Sequence, residues 1–291
     1  MSLTTFGLTT LGLTTLSEQR CFGGVQRVHT HLSEATGTSM RLAVYLPPAA
    51  QDGPVPALIF LAGLTCTEDN FTVKAGAQRL AAQHGLMLVA PDTSPRGDTV
   101  PDDPAYDLGQ GASFYLNATR SPWSQHFQME RYLADELPAL LARELPLRPD
   151  ALGICGHSMG GHGALVLALR HPGRFRSVSA LAPICNPSVV PWGRKAFTAY
   201  LGEDPAAWHE HDAVELLRRG ARLPGSPLID QGESDKFLAD QLHPDTLARV
   251  CAEQAQPLTL RRHPGYDHSY FFIATFIADH IAHHARALTT P

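Results

Sequence analysis

The chain has 291 residues, 44% hydrophobic and 18% charged, with a formal net charge of −5. That length accommodates one large α/β domain as well as two small ones. No basic block marks nucleic acid or an anionic membrane as a partner, and no apolar run is long enough to span a bilayer. The five cysteines (Cys21, Cys66, Cys155, Cys185, Cys251) are odd in number, scattered, and free of C-x-x-C pairs. A disulfide framework or a structural zinc site is therefore not expected, and a reducing compartment is.

In chain order, Leu3-Thr4-Thr5, Leu8-Thr9-Thr10 and Leu13-Thr14-Thr15 repeat with period five. Residues 1–17 are read as a flexible extension ahead of a single domain over 18–291. The first basic residue is Arg20, so the charged start of a secretory signal is missing. Alternation in Val25–His29 and Arg41–Leu46 predicts antiparallel strands, the second ended by Pro47 and Pro48. Ala57–Leu61 and Leu86–Ala90 are continuous apolar strands, with a helix within Asn70–Gln83 between them. Residues 91–124 are rich in Pro, Gly and Asp, a length of loop that usually carries function. A helix is expected over Ser124–Arg143, with Pro138 kinking or splitting it. Further strands fall at Ala151–Cys155, Ser177–Leu181, Pro227–Asp230 and Leu258–Arg262, and helices at 161–170, 193–200, 208–219, 236–254 and 269–287. Alternating strands and helices predict an α/β fold, a mostly parallel sheet with helices on both faces. His280, His283 and His284 are placed on a solvated face of the last helix.

Gly156-His157-Ser158-Met159-Gly160 reads G-x-S-x-G between an apolar strand and a small-residue helix. A sharp strand–turn–helix lifts a serine hydroxyl out of the chain, and the helix N-terminus offers free N–H groups to an oxyanion. Serine is a poor nucleophile unless a base takes its proton and a carboxylate orients that base. In the α/β-hydrolase fold the order is Ser, then Asp/Glu, then His, on loops after strand ends. Asp235, in Gly232-Glu233-Ser234-Asp235, is the expected acid; Asp230 and Glu233 are the other options, and a helix cap is the bland role for Asp235. His268 is the expected base, with His263 too close to its strand end. His157 and His162 are read as pocket-wall or packing residues. The oxyanion hole is assigned to the N–H groups of Met159 and of Leu64, in the loop Ala62–Thr67. Cys66 must then lie near the site, as a non-catalytic neighbour.

These residues sit within longer matches. Leu64–Phe71, Ala90–Gly97, Gly156–Gly163, Ala182–Pro187, Pro191–Gly193, Ile229–Gly232 and Gly265–Tyr270 together resemble the S-formylglutathione hydrolase (esterase D) family. The resemblance runs from about Cys21 into the C-terminal helix. Departures are Val190, where the family often has Cys, and Leu108-Gly109, where many members have an aromatic–glycine pair. It implies an α/β-hydrolase fold and a triad on Ser158, Asp235 and His268, with oxyanion donors on Leu64 and Met159. It further implies cleavage of S-formylglutathione to formate and glutathione through a formyl-serine, in formaldehyde detoxification. No metal or organic cofactor is implied, and the expected setting is a cytoplasmic homodimer. Glutathione carries two carboxylates and an amine, so Cys66, His157, Trp192 and Lys195 are expected at the substrate, with Arg194 beside them; a solvated surface accounts equally well for Arg194 and Lys195. A broad carboxylesterase is the alternative, and a catalytically silent binding protein a more distant one.

Overall fold

The computed structural model describes residues 12–289. Nine strands form one sheet among these residues: β1 (Thr14–Cys21), β2 (Gly24–Leu32), β3 (Ser39–Leu46), β4 (Val55–Leu61), β5 (Met87–Pro91), β6 (Leu147–His157), β7 (Ser177–Leu181), β8 (Leu228–Gly232) and β9 (Thr259–His263). Their spatial order is β1-β2-β3-β5-β4-β6-β7-β8-β9. The pairs β1–β2, β2–β3 and β3–β5 are antiparallel, and every pair from β5–β4 onward is parallel.

The helices are α1 (Glu68–Lys74), α2 (Gln78–His84), α3 (Met129–Arg131), α4 (Leu137–Glu144), α5 (Met159–Arg170), α6 (Pro191–Leu201), α7 (Pro205–His209), α8 (Ala213–Arg218), α9 (Pro244–Glu253) and α10 (Tyr270–Thr289). The central strands are apolar on both faces because helices cover both; every residue of β4, β5 and β7 is buried. On β6, a Cβ at Gly153 would meet His284 and Leu288 of α10, whereas one at Gly156 would meet Gly160 of α5. Side chains alternate along a strand, so α5 and α10 lie on opposite faces of the sheet.

Several boundaries differ from the sequence reading. Thr14–Ser17, expected within the extension, already pair with β2, Thr14 opposite Thr30 and Thr15 opposite His29; residues 1–11 lie outside the described residues. The helix expected over 70–83 is two helices, divided at Gly76 with φ +67°. The helix expected over 124–143 is a short 3₁₀ turn, then α3, a π-helical turn over Tyr132–Glu136, and α4. The π-turn closes with the Leu137 N–H donated to the Tyr132 carbonyl, one residue before Pro138, which has no N–H to give. The segment expected at 208–219 breaks where the Asp212 side chain accepts from the N–H of Val214 (2.9 Å) and of Glu215 (3.3 Å) and so starts α8 anew.

Candidate active site

The strand β6 ends in Gly156-His157, and α5 begins at Met159, leaving Ser158 alone in the turn with φ 58° and ψ −119°. A non-glycine residue held there costs about 1–3 kcal/mol. Backbone bonds offset that strain. The Ser158 N–H donates to Leu181 (3.0 Å), and its carbonyl accepts from His162 (3.0 Å) and Ile184 (3.2 Å). The flanking glycines are required by close approach: a Cβ on Gly156 would stand 2.1 Å from the Gly160 carbonyl oxygen, and one on Gly160 would stand 1.9 Å from that of Leu61. Packing this tight fixes the serine at the mouth of the helix.

The residues expected as acid and base lie on the loops after β8 and β9. Backbone bonds join these loops: Glu233 N–H to the His263 carbonyl (3.0 Å) and Ser234 N–H to that of Tyr266 (2.9 Å). Asp235 Oδ2 accepts from His268 Nδ1 at 2.5 Å, while Oδ1 accepts from the Phe237 N–H at 2.9 Å. Asp235 thus bonds an imidazole with one oxygen and caps the local turn with the other. A proton held on Nδ1 leaves Nε2 of His268 as the basic nitrogen. The His268 ring lies 4.4 Å from that of His157 and meets Phe237 edge-on at 5.0 Å. Ser158 directly follows His157, so the elbow and the Asp235–His268 pair share one end of the sheet. An open recess of about 500 Å³ there is lined by Ser234, Lys236, Phe237, Asp267, His268 and Ser269.

The loop after β4 supplies the facing wall. A Cβ on Gly63 would come within 3.2 Å of the Ser158 Cβ, so this loop touches the elbow. Gly63–Cys66 forms a turn in which the Cys66 N–H donates to the Gly63 carbonyl (3.2 Å) and the Thr65 N–H to that of Gly111 (2.9 Å). Leu64 N–H immediately precedes those two committed donors in the chain. Met159 is the first residue of α5, and the first four N–H groups of a helix have no acceptor within it.

The residues expected at the substrate fall into two groups. His157 is buried, and burial together with His268 depresses its basicity well below that of a free imidazole. Cys66 lies beside Tyr270; burial raises its thiol pKa, which keeps it protonated at neutral pH. Trp192 reaches the site through Phe237, 4.7 Å away, and its indole N–H is donated to the Tyr106 hydroxyl (3.0 Å). Lys195 Nζ is paired with Asp107 at 2.5 Å and remains partly exposed. Among the described residues no three His, Cys, Asp or Glu side chains are grouped to hold a metal ion, and no helix is long and apolar enough to cross a membrane.

Two histidines placed on a solvated face are instead fully buried. His280 Nε2 donates to Asp230 Oδ2 (3.1 Å), and Ser179 Oγ bridges His280 Nδ1 and His284 Nε2, at 2.8 Å each. Ser177 Oγ lies 2.6 Å from His284 Nδ1. Asp230 also takes a bidentate pair from Arg261, at 2.6 and 2.5 Å. The signal was present in the sequence: positions 273, 277, 280, 281, 284 and 288 form one stripe at helical spacing, and two of them are His.

Known proteins share this architecture. The family model described as "Putative esterase" matches residues 33–283. The S-formylglutathione hydrolase of Paracoccus denitrificans (strain Pd 1222) is 56% identical over 273 residues, 94% of this chain and 97% of that one. The mouse (Mus musculus) S-formylglutathione hydrolase is 52% identical over 275 residues, 94% and 98% of the two chains. The solved S-formylglutathione hydrolase of Agrobacterium tumefaciens superposes with a TM-score of 0.93 at 47% identity, covering 94% of this chain and 99% of that one. The chain belongs to the esterase family that includes these S-formylglutathione hydrolases.

Proposed function

We propose that the chain hydrolyses S-formylglutathione to formate and glutathione, with Ser158 as nucleophile, His268 as base and Asp235 orienting the imidazole. The observation that carries this reading is the 2.5 Å Asp235–His268 bond beside a strained serine elbow, in a chain 52–56% identical to hydrolases of that thioester. Ser158 Oγ attacks the formyl carbon as His268 Nε2 takes its proton. The oxyanion is received by the N–H groups of Leu64 and Met159. The C–S bond breaks and the proton held on His268 passes to the departing sulfur, so that glutathione leaves as a thiol and the imidazole is neutral again. Water deprotonated by His268 then attacks the formyl-serine, releasing formate and restoring the serine. A thiol has a pKa of about 8.5, so departure depends less on acid assistance than it does for an amine. Trp192 and Phe237 provide an apolar wall, and Lys195, Cys66 and His157 border the substrate.

Scattered cysteines support a cytoplasmic setting, and the family resemblance supports a homodimer acting without metal or organic cofactor. The broad-esterase alternative is not favoured by relatives this similar. Formate and free thiol appearing in equal amounts from S-formylglutathione, far faster than p-nitrophenyl acetate is turned over, is the expected result. Equal kcat/KM on the two would contradict the glutathione preference.

A further inference from the structure

The segment Ala90–Gly97 resembles the family over its whole length, yet no step above uses it. Its polar side chains converge on the backbone of the turn that carries Leu64. Arg96 Nε donates to both oxygens of Asp92, at 3.0 and 2.8 Å, and Arg96 Nη2 donates to the Cys66 carbonyl at 3.0 Å. The Thr93 hydroxyl donates to the same carbonyl at 2.6 Å and accepts from Arg96 Nη2 at 3.3 Å. The Cys66 N–H, on the other side of that residue, closes the turn onto Gly63. Thr65, in the middle, has φ +67°, a conformation a β-branched residue adopts only under constraint. Gly111 packs on both: a Cβ there would meet Thr65 Cα at 3.1 Å and Arg96 Nη2 at 3.4 Å.

The geometry points to Arg96 as a positioning residue for the oxyanion hole: anchored by Asp92, its guanidinium pins the Cys66 carbonyl and thereby holds the strained 63–66 turn so that the Leu64 N–H faces the reacting carbonyl. Asp92 is buried, so the guanidinium has a fixed base to work from. The planar fork suits the task. It meets the carboxylate with Nε and the carbonyl with Nη2, two donors held apart in one rigid plane, whereas an ammonium offers a single nitrogen on a flexible stem. A donor displaced by a fraction of an ångström stabilises the transition state less while leaving the ground state bound as before. This inference rests on the proposed reading of Leu64 and Ser158.

The test compares Arg96→Lys and Arg96→Ala with the wild type on S-formylglutathione and p-nitrophenyl acetate, each rate expressed per active site titrated with a fluorophosphonate. Because an oxyanion forms on either substrate, kcat should fall about tenfold to a hundredfold on both, with KM changed less than about twofold. The Arg96 side chain is 34% exposed, so millimolar guanidinium should restore part of the Arg96→Ala rate. If Arg96→Ala does not fold, Arg96→Lys carries the test alone. An unchanged kcat in Arg96→Lys on both substrates would overturn the role, as would a KM rise confined to the glutathione thioester, which would make Arg96 a substrate contact. Ser158→Ala, run in parallel, separates the two failures: turnover surviving that change sinks the underlying reading, whereas its loss beside an unaffected Arg96→Lys sinks only this one.

Discussion

Two aspartates five residues apart, on and just beyond β8, each face a histidine, and their surroundings make them different devices. Asp230 is inside the protein, where burial opposes its charge, but Arg261 and His280 outweigh that cost and hold its carboxyl well below the usual range. Its hydrogen bonds run on through Ser179 and His284, so every member of the cluster is occupied by another. Asp235 has no arginine. It holds one histidine, His268, whose ring borders an open recess. An Asp–His pair is chemically available when the carboxylate spends itself on orienting the imidazole and the imidazole's other nitrogen is left to the substrate. With a guanidinium on the carboxylate and serines on the ring, the same pair is structural.

That contrast can be broken by substitution. Asp235→Asn should leave the fold intact and lower kcat by about 10⁴-fold, because the amide favours the wrong imidazole tautomer; a loss under tenfold in steady-state assays would mean the pair is not the one that matters. Asp230→Asn should do the reverse. Removing one partner of a buried ion pair costs about 3 kcal/mol, visible as a lower urea midpoint, while kcat per folded molecule stays within about threefold of wild type.

Acid should act on the buried groups together. Burial lowers the imidazole pKa of His162 to about 3 and of His211 to about 4, and holds that of His284 well below normal. Below the free-histidine value of about 6.5 the unfolded chain binds protons that the folded one refuses. Stability therefore falls with falling pH, by up to about 1.4 kcal/mol per unit for each such histidine, until its folded pKa is reached. Glu130, drawn down to about 2 against the cost of burial by His171 and Arg170, adds a loss of the same sign below its unfolded value. Denaturant midpoints measured from pH 7 down to pH 5 should decline steadily, and a flat series would show that these histidines are not buried neutral. The smallest effect belongs to Lys195→Ala. Its pair with Asp107 is partly exposed, so stability should change by less than about 1 kcal/mol. KM for the glutathione thioester should rise a few-fold, with p-nitrophenyl acetate unaffected.

The parts of the site legible in the sequence are those fixed by strand ends. Once Ser158 is placed on the turn after an apolar strand, the order of acid and base points to His268 and to Asp235, with Asp230 and Glu233 as the other options, and the structure joins Asp235 to His268 at 2.5 Å. The parts that were not legible depend on contacts between distant segments. Nothing local tells that Arg96 and Thr93 reach the Cys66 carbonyl, 30 and 27 residues back. His280 and His284 are buried because their position on the apolar stripe of α10 outweighs their polarity. The helix interruptions near Gly76 and Asp212 have local signals, a glycine and a capping acid, but periodicity runs across them; the break beside Pro138 is the one the sequence predicts.

The central claim is that the elbow serine, and no other nucleophile, takes the acyl group. Acid-quenching the enzyme during turnover of p-nitrophenyl acetate, digesting it and weighing the peptides tests this directly. The account predicts an acetyl group on the peptide carrying Ser158, absent in Ser158→Ala together with turnover. Acetyl found instead on the peptide carrying Cys66, or turnover persisting in Ser158→Ala, would contradict it.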